Sequence, residues 1–260
     1  MSSARPPLSI LIPFYNQQHH LAACVDSLLA QQEVDGAFEI LLIDNRSTDD
    51  SVTIAQRFVE QDPRITFLSE DTPGAYAARN TGIRHARGEI LAFTDADCTA
   101  HPRWLAEIRE GMEEDSVGVL VGHCRYPEEA SWGLRLLGAY ENAKTEYCLH
   151  HLPPAHSFAY ANNLAVRASV FEEVGLFEEW RRAGDSELVH RMVRERPDLR
   201  VVFRRSMQVT HREFLRARDR LRRLSLYTET NSRIEGFREL SVGQRLAVGG
   251  YLVRNFRAML

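Results

Sequence analysis

The stretch Ile90-Leu91-Ala92-Phe93-Thr94-Asp95-Ala96-Asp97 is an apolar run that ends in two carboxylates spaced one residue apart. Its length suits a buried strand, with the acidic pair where the backbone leaves the sheet. Hard oxygen donors in that position suit Mg²⁺ or Mn²⁺ carrying a bound phosphate. A solvated loop or a helix N-cap explains an isolated Asp-x-Asp at least as well, so its meaning depends on which other residues converge on it.

Apolar runs typical of strands alternate with stretches of helical spacing in the first part of the chain. The predicted strands cover 8–13, 38–44, 65–68 and 90–94, and the predicted helices cover about 17–32, 47–58 and 73–88. The second helix is expected to begin with a capping box formed by Ser47 and Asp50. This alternation predicts a parallel sheet with helices on both faces, joined by right-handed crossovers.

Asn16, Asp44 and Asp95 each stand at or just beyond the carboxyl end of a predicted strand. In such sheets, ligands bind in the crevice outside those ends. One acid at a strand end is ordinary, whereas polar residues at three of them favour a nucleotide site. We therefore expect the three side chains to face one crevice.

The chain continues with a predicted helix at 102–114 and a strand at 117–121, and it then loses clear periodicity over residues 125–158. A helical piece at 134–147 interrupts that stretch. We expect an insertion that covers the site and shapes a second substrate pocket. Further strands are predicted at 162–167, 201–203 and 207–211, and helices are predicted to start at Ser169 and Gly184.

Two polar residues of the second half have ordinary explanations when they are considered alone. Asp185 falls in the first turn of a helix, where a carboxylate gains about 0.3–1 kcal/mol from the helix dipole. His211 ends the last predicted strand, and it is an ordinary polar terminus unless a metal lies nearby. Only other residues that point to the same place make either of them a functional candidate.

The 260 residues are 44% hydrophobic and 26% charged, which indicates a soluble protein with one large α/β domain or two small ones. The net charge is −4, yet residues 201–260 hold 13 arginines against 5 acidic residues. The acidic remainder can host a cation, and the basic segment can meet an anionic surface. Four well-separated cysteines, no signal peptide and no apolar run near ~18 residues predict a cytoplasmic setting.

Six blocks of sequence occur together in one order. They are Ile-Pro-Phe-Tyr-Asn at 12–16, Ile-Asp-Asn-x-Ser-Thr-Asp at 43–49, Ala-x-Ala-Ala-Arg-Asn-x-Gly at 75–82, Asp-Ala-Asp at 95–97, Asn-Asn-Leu-Ala-Val-Arg at 162–167 and Gly-Asp-Ser-Glu-Leu at 184–188. Over residues 8–211 this pattern resembles the family 2 glycosyltransferases of GT-A fold. The resemblance implies an α/β fold of GT-A type, with a mostly parallel nucleotide-binding sheet flanked by helices. It does not cover the remaining residues, for which the sequence pattern predicts a C-terminal helical tail.

The same resemblance implies a domain organisation and a reaction. Residues 1–211 would form the GT-A domain, with a donor half at about 1–122 and an acceptor half at about 123–211. The basic helical tail at 212–260 is predicted from its own spacing and charge, outside the resemblance. The reaction would be an inverting transfer of a sugar from a nucleotide diphosphate donor to an acceptor hydroxyl. The cofactor would be Mn²⁺ or Mg²⁺, and the acceptor a glycan, a polysaccharide or a lipid-linked molecule.

Position in the family pattern assigns nine residues to the nucleotide sugar. They are Pro13, Phe14, Tyr15, Asn16, Asp44, Arg79, Asp95, Ala96 and Asp97. The segment 13–16 would lie along the nucleotide, and Asp44 would accept hydrogen bonds from the base or ribose. Arg79 matches a basic residue near the base and diphosphate.

The metal would be held by residues from two separate segments. Asp97 matches the usual direct ligand, and Asp95 matches a ribose or water-mediated partner. His211 resembles an additional metal or phosphate contact. A divalent cation in this place stabilises the charge that grows on the leaving diphosphate.

The acceptor hydroxyl is a poor nucleophile, so a carboxylate must take its proton as the new bond forms. Asp185 is the expected base. The family often shows Glu-Asp here, and Gly184 in the first position removes one carboxylate while leaving the aspartate in register. Glu187 is the competing candidate, although a step of two residues on a helix turns it well away from Asp185.

Three more residues are candidates for contact with the acceptor or the donor sugar. Trp180 either stacks on an acceptor sugar or fills the core under the insertion. Asn162 and Asn163 either hydrogen-bond a sugar or form a turn. The sequence leaves each of these pairs of alternatives open.

The segment from Arg212 to Thr230 shows apolar residues at helical spacing with five arginines among them. Such a helix either lies on the inner face of an anionic membrane, as a peripheral contact, or packs on the domain with a solvated arginine face. Nucleic-acid binding is not expected, because the stretch lacks a recognised module and the rest of the chain is acidic.

Two other functions compete with the main prediction. A non-catalytic sugar-nucleotide-binding module would share the donor residues, but retention of Asp97 and Asp185 argues against it. A nucleotidyltransferase would share the sheet and the metal. Its early loop is expected to be glycine-rich and basic, whereas residues 13–24 contain neither glycine nor lysine or arginine.

Overall fold

The computed structural model describes residues 8–32, 38–179, 182–212, 234 and 238–259. The first half alternates strands and helices, as the sequence predicted. Its elements are β1 (Leu8–Phe14), α1 (Leu21–Leu29), β2 (Phe38–Asp44), α2 (Ser51–Gln61), β3 (Ile65–Ser69), α3 (Ala75–His85) and β4 (Ile90–Thr94).

The second half adds four strands and five helices. They are β5 (Cys98–Ala100), α4 (Trp104–Gly111), β6 (Val117–Arg125), α5 (Trp132–His151), β7 (Asn163–Arg167), α6 (Ala168–Val174), α7 (Gly184–Glu195), β8 (Arg200–His211) and α8 (Val242–Met259), with a single 3-10 turn at Pro154–His156. The expected helical piece within the insertion is the long helix α5.

The eight strands of the described residues form one sheet in the order β3-β2-β1-β4-β7-β6-β8-β5. The pairings β1 with β2, β1 with β4, β2 with β3 and β6 with β8 are parallel, and the other three are antiparallel. The prediction of a mostly parallel α/β sheet flanked by helices is therefore confirmed. The antiparallel strand β7 joins the two parallel groups into one continuous sheet.

The sheet is buried on both faces, which explains the uninterrupted apolar runs of β1, β2 and β4. Alternate residues of a strand point to opposite faces. Ile10 and Ile12 accordingly pack with Leu21 and Trp104 on one face, whereas Leu11 packs in a separate cluster on the other. The two layers of side chains hold the strand ends in place.

Three details of the predicted elements are wrong. The capping box is one, because α2 begins at Ser51 and the Ser47 hydroxyl instead accepts the N–H of Asn16 at 3.0 Å. The two late strands are one strand, β8, whose pairing with β6 shifts register between Gly122 and His123. The three-residue strand β5 was not predicted at all.

The C-terminal helix α8 packs against α5 of the insertion. Its Leu252 meets Ala139 and Ala143, and its Tyr251 ring lies 5.9 Å from that of Tyr147. The predicted helix from Arg212 to Thr230 lies outside the described residues, apart from Arg212 itself. Among the helices that the structure describes, none is long and apolar enough to cross a membrane.

Candidate active site

A cavity of about 400 Å³ lies beside the ends of β1 and β4, at the edge of the sheet where the sequence predicted a crevice. Side chains from α3, α5 and the start of α7 complete its wall. The residues of its lining that the sequence had singled out are Pro13, Phe14, Tyr15, Arg79, Asp95, Ala96, Asp97, Asn162, Asp185 and His211. Segments far apart in the chain therefore meet around one space.

Arg79 occupies the centre of the charged wall. Its Nη2 donates a 2.6 Å hydrogen bond to Asp95 Oδ1, and its guanidinium lies 5.2 Å from the centre of the Tyr76 ring. Burial alone lowers the Arg79 pKa, but the neighbouring acidic groups, Asp95 foremost, raise it above its usual value. The side chain is thus a fixed cation among acidic groups.

Asp97 and His211 meet because β5 pairs with the end of β8. Cys98 is the register partner of His211, and the N–H of Arg212 donates to the Asp97 carbonyl at 2.7 Å. This pairing brings His211 Nε2 to 3.6 Å from Asp97 Oδ2, with both side chains largely buried. The short unpredicted strand is therefore what aligns the two residues.

The donor set at this point fits a divalent metal. Asp97, Cys98 and His211 each offer one ligand atom, and these atoms lie within 4.8 Å of one another. A carboxylate oxygen and an imidazole nitrogen 3.6 Å apart can share one ion. Burial raises the pKa of the Cys98 thiol well above its usual value. A sulfur ligand is a poor partner for a hard cation such as Mg²⁺, which prefers oxygen donors.

Asp185 lies buried in the first turn of α7 and lines the cavity. Its Oδ2 accepts the Ala161 N–H and its Oδ1 accepts the Ser186 N–H, each at 2.9 Å. Burial raises the pKa of the carboxyl, while the Ala161 hydrogen bond and the Arg79 charge oppose part of the rise. The result is a fixed carboxylate with increased basicity.

Packing explains the glycine that precedes this aspartate. A Cβ on Gly184 would lie 2.8 Å from the Glu178 carbonyl oxygen and 3.1 Å from the Tyr76 ring. The larger residue that the family often carries here would collide with that backbone. The start of α7 can approach the loop before it this closely because residue 184 has no side chain.

Asn16 and Asp44 are close to the cavity but shape the loops around it. Asn16 has a left-handed backbone, with φ of 53°, and its Oδ1 accepts the Thr48 N–H at 2.8 Å. Asp44 Oδ1 accepts the Ser47 N–H at 3.1 Å. Neither is part of the lining. Both hold the β2–α2 loop against the end of β1.

The remaining candidates from the sequence fall in different surroundings. The Asn163 amide accepts from Trp104 Nε1 at 2.8 Å and donates to the His123 and Met207 carbonyls at 3.0 and 2.9 Å, which makes it a link between strands. Glu187 pairs with Arg191 at 3.0 Å, away from the lining. Trp180 lies outside the described residues.

Several lining residues were missed by sequence reasoning, among them Tyr76, Glu141, Tyr160 and Arg182. Glu141 projects from α5, and the Tyr160 hydroxyl donates to its Oε2 at 2.6 Å. The expectation that an insertion at 125–158 covers the site pointed towards Glu141, whereas no sequence signal singled out Tyr76, Tyr160 or Arg182. Which turn of α5 faces the cavity depends on how that helix docks.

The strand order and the position of the cavity define a protein of the GT-A glycosyltransferase class. The family description "Glycosyl transferase family 2" matches residues 9–175. The chain therefore belongs to glycosyltransferase family 2, and the resemblance noted in the sequence is confirmed.

Comparison with individual relatives agrees with this family assignment. Glycosyltransferase AglE of Haloferax volcanii is 32% identical over 180 residues, which are 68% of this chain and 58% of that protein. The uncharacterized glycosyltransferase YibD of Escherichia coli is 36% identical over 119 residues, 46% of this chain and 34% of that protein. The chain thus spans 58% or less of the length of these two relatives.

Solved structures resemble the fold over most of the chain. Mannosyltransferase PcManGT from Pyrobaculum calidifontis, in complex with GDP-Man and Mn²⁺, matches with a TM-score of 0.68 at 21% identity. The match covers 98% of this chain and 72% of the PcManGT chain. Glucosyl-3-phosphoglycerate synthase from Mycobacterium tuberculosis, in complex with Mn²⁺, UDP-glucose and phosphoglyceric acid, has a TM-score of 0.61 at 18% identity and covers 85% and 76%. At these identities the likeness shows the fold.

Proposed function

We propose that this protein transfers a sugar from a nucleotide diphosphate-sugar to an acceptor hydroxyl, with inversion at the anomeric carbon and with help from a divalent metal. The observation that carries the proposal is the convergence of Arg79, Asp97, His211 and Asp185 on one cavity. Cationic and metal-ligating groups line one part of the wall, and a buried carboxylate lines another. An inverting transfer needs these two functions on opposite sides of the anomeric carbon.

In this proposal Asp97 and His211 would hold the metal, Mn²⁺ or Mg²⁺, and Asp95 would be a water-mediated or ribose-contacting partner. An ion bound there would supply positive charge that stabilises the leaving diphosphate. Arg79 adds a fixed positive charge close to Asp95. Pro13 to Tyr15 form the wall along the nucleotide, and Asn16 and Asp44 act by holding that wall and its neighbouring loop.

Asp185 is the base that removes the proton from the acceptor hydroxyl. The hydrogen bonds from Ala161 and Ser186 hold both of its oxygens in a fixed direction. Its raised pKa makes it a better proton acceptor than an ordinary aspartate. Glu187 is disfavoured for this role, because its carboxylate is paired with Arg191 and lies away from the cavity lining.

The acceptor occupies the part of the cavity between Asp185 and α5. Glu141 and Tyr160 offer hydrogen-bonding groups there, and Asn162 lies beside them. Groups of this kind recognise hydroxyls, which suits a glycan or a lipid-linked saccharide. In this proposal residues 1–122 bind the donor, residues 123–211 bind the acceptor, and the tail at 212–260 gives the protein a peripheral position on the inner face of the membrane.

A donor screen with the purified protein tests the proposal. UDP-, GDP- and dTDP-sugars are added with and without Mn²⁺, and both the melting temperature and the release of nucleoside diphosphate are measured. A donor that binds the native state raises its stability by mass action, and it should do so more strongly with metal. Stabilisation without turnover in the presence of a panel of acceptors would favour the non-catalytic binding module. Stabilisation by no donor would contradict both functions.

A further inference from the structure

The last helix, α8, has an inner and an outer side. Val248 and Leu252 are buried, and Tyr251 packs against Tyr147 of α5. Val242, Leu246 and Val253 are instead 76%, 73% and 77% exposed. Spacings of four and seven residues place these three side chains in one stripe along the helix. The stripe points away from the body of the protein.

This stripe is unusual for the protein's surface. In the part of the chain that the structure describes, five large hydrophobic side chains are exposed, and three of them are in α8. A Cβ on Gly249, between Leu246 and Val253 in the sequence, would meet nothing within 4 Å, so the middle of the stripe is open as well. Single exposed apolar residues are normal on a protein surface, whereas a contiguous group of them often marks an interaction site.

The charge of α8 indicates what kind of surface covers the stripe. The sequence of the helix contains three arginines and no aspartate or glutamate. Arg245 and Arg254 are both exposed. Arginine side chains beside an apolar stripe suit a bilayer that presents acyl chains below anionic headgroups. Arg245 already pairs with Glu239 at 3.6 Å, with both side chains exposed, so Arg254 is the arginine that a purely apolar partner would leave without a counter-charge.

We propose that the outer side of α8, formed by Val242, Leu246 and Val253 with Arg245 and Arg254 beside them, docks on the headgroup region of an anionic lipid bilayer. The helix lies along the surface, with its apolar stripe among the upper acyl groups and its arginines at the phosphates. Its inner side remains packed on α5 through Leu252 and Tyr251.

This docking places the acceptor wall of the cavity close to the membrane. One side of α5 meets α8 through Ala139 and Ala143, and another side lines the cavity through Gly138 and Glu141. Since packed helices lie about 8–10 Å apart, α5 alone separates the docked helix from the cavity. The inference that the acceptor is lipid-linked rests on the proposed function, whereas docking itself does not.

Vesicle binding measures the docking without donor or acceptor. The full chain is sedimented with vesicles of phosphatidylcholine alone and with vesicles that also contain phosphatidylglycerol. We expect binding to the anionic vesicles that weakens as salt is raised, because salt screens the arginine–phosphate attraction. The double variant Leu246→Asp/Val253→Asp should bind at least about tenfold more weakly, since it removes two inserted apolar side chains.

A matched control separates loss of the stripe from added negative charge. Thr53→Asp/Gln56→Asp introduces the same two charges at exposed positions of α2 and should bind like the unmodified protein. Arg254→Gln should weaken binding to anionic vesicles by about fivefold and leave any binding to neutral ones unchanged. All substituted positions are exposed, and unchanged melting temperatures would verify that each variant is folded.

Three results would overturn the proposal. They are no binding of the unmodified protein to anionic vesicles, equal binding of the Leu246→Asp/Val253→Asp variant, or a dimer in light scattering that this double variant converts to a monomer. The last result would assign the stripe to a second copy of the chain. Failure of the donor screen with intact vesicle binding would remove the proposed function and leave the docking surface standing.

Discussion

Arg79 Nη2 lies 2.6 Å from Asp95 Oδ1, so the first carboxylate of the Asp95–Asp97 pair is held by a buried cation. The substitution Arg79→Gln should weaken donor binding by about 1.5–3 kcal/mol, the range for a hydrogen bond to a charged group. Isothermal titration with the donor found in the screen measures it. Arg84→Gln, at an exposed position of the same helix, is the control and should bind normally. Equal affinity of the two variants would show that Arg79 has no part in the donor site.

Asp185 and Glu187 can be separated by matched substitutions in one helical turn. Asp185→Asn should lower kcat by about 10²–10⁴, the usual contribution of a general base, with little change in donor affinity. Glu187→Gln removes a carboxylate that pairs with Arg191, and it should keep most of the activity. Transfer assays at saturating donor compare the two. Full activity of Asp185→Asn would refute its assignment as the base.

The raised pKa of Asp185 predicts the acid side of the pH profile. The base must be ionised, so kcat/KM should be maximal above the folded-state pKa of Asp185 and should fall as the pH drops through it. Because that pKa is raised, the fall should occur above the ordinary aspartate value of about 3.9. Loss of this limb in the Asp185→Asn variant would link it to the residue. An acid limb that persisted unchanged in that variant would belong to another group.

The ionisation of Asp185 should also change the free energy of unfolding, but in the opposite direction to activity, so that stability falls as the pH rises. A carboxyl whose pKa is higher in the folded state binds its proton more tightly there, so its contribution to stability is lost as pH rises through the folded-state pKa. The amide that Asp185→Asn introduces does not titrate. The substitution also removes a hydrogen-bond acceptor, and this loss changes stability by the same amount at every pH. The melting temperature of Asp185→Asn relative to the unmodified protein should therefore rise between acid and neutral pH.

The metal site predicts different effects for three adjacent residues. Asp97→Asn and His211→Ala should each weaken Mn²⁺ binding by at least about tenfold, because each removes a ligand atom. Cys98→Ser should leave the affinity unchanged, since sulfur is a soft ligand that suits a hard cation poorly. Electron paramagnetic resonance of free Mn²⁺, in the presence of donor, measures all three. A comparable loss for Cys98→Ser would instead make the sulfur a ligand.

Gly122 lies at the register shift of β6 and lines the cavity, and its surroundings leave no room for a side chain. A Cβ there would lie 2.3 Å from Asn163 Nδ2 and 2.5 Å from the Met207 carbonyl oxygen. Gly122→Ala should therefore cost about 1–3 kcal/mol of stability through overpacking. Gly133→Ala in α5, where a Cβ meets nothing within 4 Å, should be neutral or stabilise by up to about 1 kcal/mol. Denaturant melts of both variants make the comparison.

Much of the donor side was predictable because its signals are local. The apolar runs before Asp44 and Asp95 are long enough to mark buried strands, and parallel strands bring their carboxyl ends to one edge. The strand β5 was not predictable, because three residues carry no periodicity. The capping box failed because the Ser47 hydroxyl is used by Asn16, a contact between distant segments.

The sequence by itself determined the alternation of strands and helices in the first half, the family, and the segments that carry the charged side chains. Tertiary structure decided which of those side chains share the cavity. It placed His211 beside Asp97 through the β5–β8 pairing and buried Asp185 under Ala161. The physical reason is that strand propensity and apolar spacing act along the chain, whereas burial, pKa and ligand geometry depend on neighbours brought together only by packing.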